Sequence, residues 1–86
     1  MVPMDIRIGK VTHYYNRISV AVIELEGEIR VGDQIAIVGH TTEFTQPVES
    51  LEIEHKKIET AGPGQEVALK VWEAVRKGDL VYKVVS

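Results

Sequence analysis

The sequence predicts an all-β fold, and three observations carry that expectation. Apolar residues alternate, or run in short blocks rich in valine and isoleucine. Glycine and proline punctuate those blocks at short intervals, at Gly27, Gly32, Gly39, Pro47, Gly62, Pro63, Gly64 and Gly78. No helical pattern of useful length interrupts them. About six short strands with this punctuation suggest a closed barrel or a sandwich.

The elements follow in order. Residues 6–15 read as the first strand, with Gly9 marking a bulge. Asn16-Arg17 reads as a two-residue turn, because asparagine tolerates a positive φ. Residues 18–25 return as a second strand, and the unbroken Val20-Ala21-Val22-Ile23 implies burial on both faces or cover by a partner. Gly32-Asp33 is a turn that starts a strand over residues 34–38, with Ile35 and Ile37 on one face. Residues 40–45 read as a polar loop anchored by Phe44, and Pro47 suits an edge or a strand start. Residues 48–58 read as the longest strand, with Leu51 and Ile53 opposite Ser50, Glu52 and Glu54. Ala61-Gly62-Pro63-Gly64 is a turn, after which Val67, Leu69 and Val71 share a face. Residues 73–77 read as a single helical turn, and Gly78-Asp79 restarts a strand through residues 80–85. The two Gly-Asp segments resemble each other, which suggests a pseudo-symmetric barrel.

Eighty-six residues bound one domain, 1–86, and 44% apolar content is ample for its core. The absence of cysteine excludes disulfides and thiolate metal sites and fits a reducing compartment. Residues 1–10 hold no apolar leader, and no apolar run nears the roughly 20 residues of a membrane span. The expectation is a cytoplasmic protein with no membrane contact. A net charge of −3 argues against indiscriminate binding to nucleic acid. Charge is uneven, however: residues 1–55 hold four bases and nine acids, and residues 56–86 hold six bases and four acids. Lys56, Lys57, Lys70, Arg76, Lys77 and Lys83 make either a modest basic patch or plain solvating charge.

No residue set looks catalytic. His13, His40 and His55 are scattered, without paired spacing or a cysteine partner, so neither a metal nor another cofactor is expected. Ser19, Ser50 and Ser86 lack a nucleophile-elbow context, and Glu49, Glu52 and Glu54 share a strand as solvent-facing carboxylates would. The aromatics most able to meet a partner are Tyr14, Tyr15 and Trp72, the last beside Arg76 and Lys77.

Four motifs occur in a telling order. They are Ile-Arg-Val-Gly-Asp-Gln-Ile from Ile29, Val-Glu-Ser-Leu-Glu-Ile-Glu-His from Val48, Gly-Pro-Gly-Gln-Glu-Val-Ala from Gly62, and Val-Arg-Lys-Gly-Asp-Leu-Val from Val75. This order resembles the second domain of the translation GTPases: elongation factor Tu, elongation factor 1-alpha and initiation factor 2. It is also similar to the small barrel at the C-terminus of collagenase-like peptidases. The resemblance implies a closed six-stranded antiparallel Greek-key barrel. It implies a non-catalytic, elongation factor-like module that contacts tRNA, ribosomal RNA or a translation-related protein. Glu52 stands where the factors contact the terminal adenosine of tRNA, and Glu66 where they commonly carry asparagine. No Gly-x-x-x-x-Gly-Lys-Ser/Thr loop is present, so GTP binding by this chain alone is not expected. The expected contact set is Glu52, Lys56, Lys57, Glu66, Trp72, Arg76 and Lys77. The alternative is a detached accessory barrel that docks in trans onto a separately encoded peptidase-like or GTPase-like protein. A homodimer through residues 20–23 is a further expectation.

Overall fold

Each of three tight turns in the chain has glycine third and a side-chain acceptor fourth. Arg30-Val31-Gly32-Asp33, Gly62-Pro63-Gly64-Gln65 and Arg76-Lys77-Gly78-Asp79 close with the fourth N–H donating to the first carbonyl, at 3.1, 3.2 and 3.0 Å. The glycines take φ of 100°, 87° and 97°, the signature of a type II turn. In each, the fourth side chain accepts the first residue's N–H: Asp33 Oδ2 at 3.0 Å, Gln65 Oε1 at 2.8 Å and Asp79 Oδ2 at 2.8 Å. Each turn then clamps one buried apolar residue by exchanging two backbone bonds with it. Gly32 and Asp33 hold Val48 at 2.9 and 2.8 Å, Gly64 and Gln65 hold Leu25 at 3.0 and 2.9 Å, and Gly78 and Asp79 hold Val11 at 2.8 Å both ways.

Those clamps start three of the strands in a computed structural model that describes residues 5–85. The elements are β1 (Asp5–Tyr15), β2 (Val20–Leu25), β3 (Ile29–Arg30), β4 (Gln34–Val38), β5 (Glu43–Pro47), β6 (Leu51–Ile53), β7 (Lys56–Ile58), β8 (Thr60–Ala61), β9 (Glu66–Lys70) and β10 (Leu80–Val84). An eight-stranded antiparallel sheet runs β5-β4-β10-β1-β2-β9-β6-β7, and β3 pairs with β8 in a separate ribbon. The class is all-β, as the alternation predicts.

The alternation also sets the core. Ile8, Val11, Ala21, Ile23, Ile35, Ile37, Val67, Leu69 and Val81 point inward from five strands, joined by Val48, Leu51 and Val75. β1 serves neighbours on both sides because two bulges bend it: register shifts fall between Arg7 and Gly9 and between Val11 and His13. The first is the bulge that Gly9 signals. Gly39 has a different constraint, since any Cβ there would overlap the buried carboxylate of Asp79.

Five expectations are corrected. The ladder does not close: β5 and β7 stand at its ends, and among the described residues no strand pairing joins them. The bond from Val31 N–H to Glu59 O at 2.9 Å extends the β3–β8 ribbon just beyond β7. The strand expected over residues 48–58 is a hairpin, with Glu54 and His55 at φ 51° and 66° as a two-residue type I′ turn. The first hairpin turns over Asn16 to Ser19, with Ser19 at φ 56°, rather than over two residues. Residues 73–77 are bends and coil, not helix, and β5 occupies part of the expected loop.

The buried amide of Gln46 ties β5 to the far half of the sheet. Its Nε2 donates to Lys70 O at 3.0 Å and Pro47 O at 3.2 Å, and its Oε1 accepts Trp72 N–H at 2.7 Å. Replacing Gln46 with Leu leaves the Lys70 carbonyl and the Trp72 N–H unpaired and is expected to cost about 3 kcal/mol in urea unfolding. Gln46→Glu turns a carboxylate toward two carbonyls, so burial raises its pKa above the usual carboxylate value of about 4.3. Its stability is then greatest below that value and is lost as pH rises through the folded-state pKa. A melting temperature of this variant that does not fall between acid and neutral pH contradicts the assignment.

Candidate functional site

The sheet packs one face on the core and leaves the other outward, so strand register places the outward side chains in rows. One row runs His13, Val22, Ala68, Glu52 and Lys57 across β1, β2, β9, β6 and β7. Flanking it are Tyr15, Val20 and Lys70 on one side, and Lys10, Glu24 and Glu66 on the other. The small Ala68 lies among larger neighbours and leaves a groove of about 390 Å³. Val22 and Ala68 are half-buried in its floor, and Tyr15, Glu52, Glu66 and the Glu54-His55 turn form its walls.

The groove is partly built by the second bulge. Thr12, the extra residue, donates its hydroxyl to Val22 O at 3.3 Å and lies 3.5 Å from Glu66 Oε2. His13 and Tyr15, two apart on the same face, bring their rings into tilted contact, with centroids 4.2 Å apart and planes at 58°. Tyr15 is 49% exposed and Ile18, at the hairpin tip, 57%. They are joined by a neighbouring hollow of about 350 Å³ around residues 13–18. Opposite Tyr15, two acids face each other across the strands: Glu24 is the direct partner of Glu66. Lys10 Nζ approaches Glu24 Oε1 only to 3.9 Å. Like charges directly opposite destabilise a sheet.

The expected contact residues divide. Glu52 and Glu66 line the groove together. Lys57 is the cross-strand partner of Glu52, and Lys56 faces Ile53. Lys57 lines a separate hollow with Glu49 and Ser50. The Trp72 indole N–H donates to Glu49 Oε1 at 3.0 Å. Arg76 and Lys77 belong to the turn that clamps Val11. Lys83 pairs with Asp33 at 3.3 Å. Ser86 lies outside the described residues. Among the described residues, no three of His, Asp and Glu gather as a metal cluster. Sequence reading missed Val22 and Ala68 as groove floor. The signal was present: one alanine stands among Val67, Leu69 and Val71.

A larger polar cleft of about 620 Å³ lies beside the β3–β8 ribbon. Three of its polar groups serve the scaffold: Asp33 and Gln65 cap turns there, and Lys83 is held by Asp33.

Residues 7–81 match the peptidase family U32 C-terminal domain. The chain belongs to that family. It is 44% identical over 78 residues to an uncharacterized protease of Methanocaldococcus jannaschii, covering 90% of this chain and 19% of that protein. It is 40% identical over 80 residues to a collagenase of Porphyromonas gingivalis, covering 91% of this chain and 19% of that one. The chain therefore spans about a fifth of the length of the curated relatives it matches. The crystal structure of the C-terminal domain of a Geobacillus thermoleovorans protein assigned to the U32 peptidases superposes with a TM-score of 0.86 at 25% identity, covering 91% of each chain.

Membership in the U32 C-terminal domain family overturns the translation reading, while the collagenase-like resemblance stands. The reason is physical. Three of the four motifs that carried the elongation factor resemblance are the clamping turns, whose shared feature is the way they start strands. Among the described residues no helix is long and apolar enough to cross a membrane.

Glu66→Gln removes the repulsion with Glu24. It is expected to stabilise the isolated domain by up to about 1 kcal/mol in thermal or urea unfolding. A loss of stability instead would show that the Thr12 contact outweighs the like-charge pair.

Proposed function

We propose that this chain is a non-catalytic accessory domain that docks onto the peptidase part of a U32-type protein. The observation that carries the reading is the family match to a C-terminal domain, in a chain spanning about a fifth of relatives named as a protease and collagenases. The groove supports it. A half-buried apolar floor beside exposed Tyr15 and Ile18 suits protein contact. The unbroken 20–23 run fits this picture: Ala21 and Ile23 fill the core, and Val20 and Val22 lie half-buried outside, where a partner can cover them.

Interfaces between domains of one assembly are modest in area and mixed in polarity, which matches an apolar floor with a charged rim. The domain supplies surface, and the bond-breaking groups belong to the rest of the assembly.

The test mixes the purified domain with a U32 peptidase body lacking its own C-terminal domain. Sedimentation should show a one-to-one complex, and the body's peptidase activity on denatured collagen should change when the domain is added. The domain alone should cleave nothing. Peptide hydrolysis by the domain alone, or no complex at tens of micromolar, contradicts the reading.

A further inference from the structure

We infer that the groove over Val22 and Ala68 receives an extended, arginine- or lysine-bearing segment of the protein partner. This rests on the accessory-domain reading and names the partner's chemistry at the same face. The groove is apolar in its floor and acidic on its rim. Its charged lining groups are Glu52, Glu54 and Glu66, with no lysine or arginine among them. Lys57 stands across the strand pair from Glu52 but lines a separate hollow, and none of the salt bridges among the described residues reaches Glu52, Glu54 or Glu66. Glu66 also faces Glu24, a repulsion that the fold carries and that a cation brought into the groove relieves.

The aromatic wall completes the match. Tyr15 is half exposed and braced by the His13 ring, so one side is free to meet a cationic group. A long basic side chain suits such a site. Its aliphatic stem covers Val22 and Ala68, and its charged head reaches the carboxylates beyond. Guanidinium fits better than ammonium, because it stacks on a ring and binds carboxylate in a fork at once. An extended segment suits the spacing, since alternate side chains of a strand point the same way and can occupy the groove and the Ile18 hollow together.

The test is fluorescence anisotropy with a labelled hexapeptide, Gly-Arg-Leu-Arg-Leu-Gly, and the same peptide with both arginines replaced by glutamate. The arginine peptide should bind saturably at low salt and weaken as salt rises. Glu66→Gln should weaken it about tenfold, the loss of one charge-assisted contact. Ala68→Leu, which fills the floor, should abolish binding, and thermal melts should show both variants folded. Equal binding of the glutamate peptide, no binding at low salt, or unchanged affinity in Glu66→Gln overturns the assignment. Competition separates the two readings. If the peptidase body binds and is not displaced by a saturating arginine peptide, the accessory role stands and the groove assignment fails. If the peptide binds the groove and the body does not bind the domain, the assignment stands and the accessory role fails.

Discussion

Three turns that each grip one buried residue are the constraint on which this fold depends. A chain of 86 residues buries a modest fraction of its surface, so every backbone group it removes from water needs a partner. The turns at Arg30–Asp33, Gly62–Gln65 and Arg76–Asp79 do this identically. Each satisfies its own first N–H with its fourth side chain, then places a glycine N–H and a carbonyl against Val48, Leu25 or Val11. The gripped residues lie in the core, so each turn fixes strand entry and core packing together. Gln46 adds a fourth tie where no ladder runs, carrying β5 across to the end of β9.

This scaffold determines what is left for function. With the core side of the sheet filled and the turns occupied by their own capping, the outward rows of β1, β2, β9 and β6 are the surface free to specialise. Their composition departs from what stability alone favours. Valines sit half-exposed, an alanine hollows the floor, and two glutamates oppose each other across strands. Departures of this kind mark sites where local stability is given up for contact with something else.

Much of this was legible in the chain. Period-2 alternation at Ile35 and Ile37 and at Val67 and Leu69 located core strands, and Gly9 announced its bulge. What failed did so for identifiable reasons. β5 was hidden because its buried residue is a glutamine, which breaks the apolar pattern while satisfying every polar atom. The hairpin within residues 48–58 was hidden because Glu54 and His55 hold positive φ without the asparagine or glycine that usually signals it. The Gly62-Pro63-Gly64-Gln65 turn was legible as a turn, but its kinship with the two Gly-Asp turns was obscured because glutamine stands where they carry aspartate. The translation resemblance failed more deeply: turn motifs report a way of building strands, and a fold does not carry its function with it. The groove was half legible, since Glu52 and Glu66 were singled out but its apolar floor was not.

The most direct measurement is amide chemical-shift mapping of the labelled domain as an unlabelled U32 peptidase body is added. The account predicts perturbations concentrated at Tyr15, Val22, Glu52, Glu66 and Ala68, with the gripped residues Val11, Leu25 and Val48 unmoved. Perturbations centred on the β3–β8 ribbon or on the outward side of β4 and β10, with the groove silent, would contradict it.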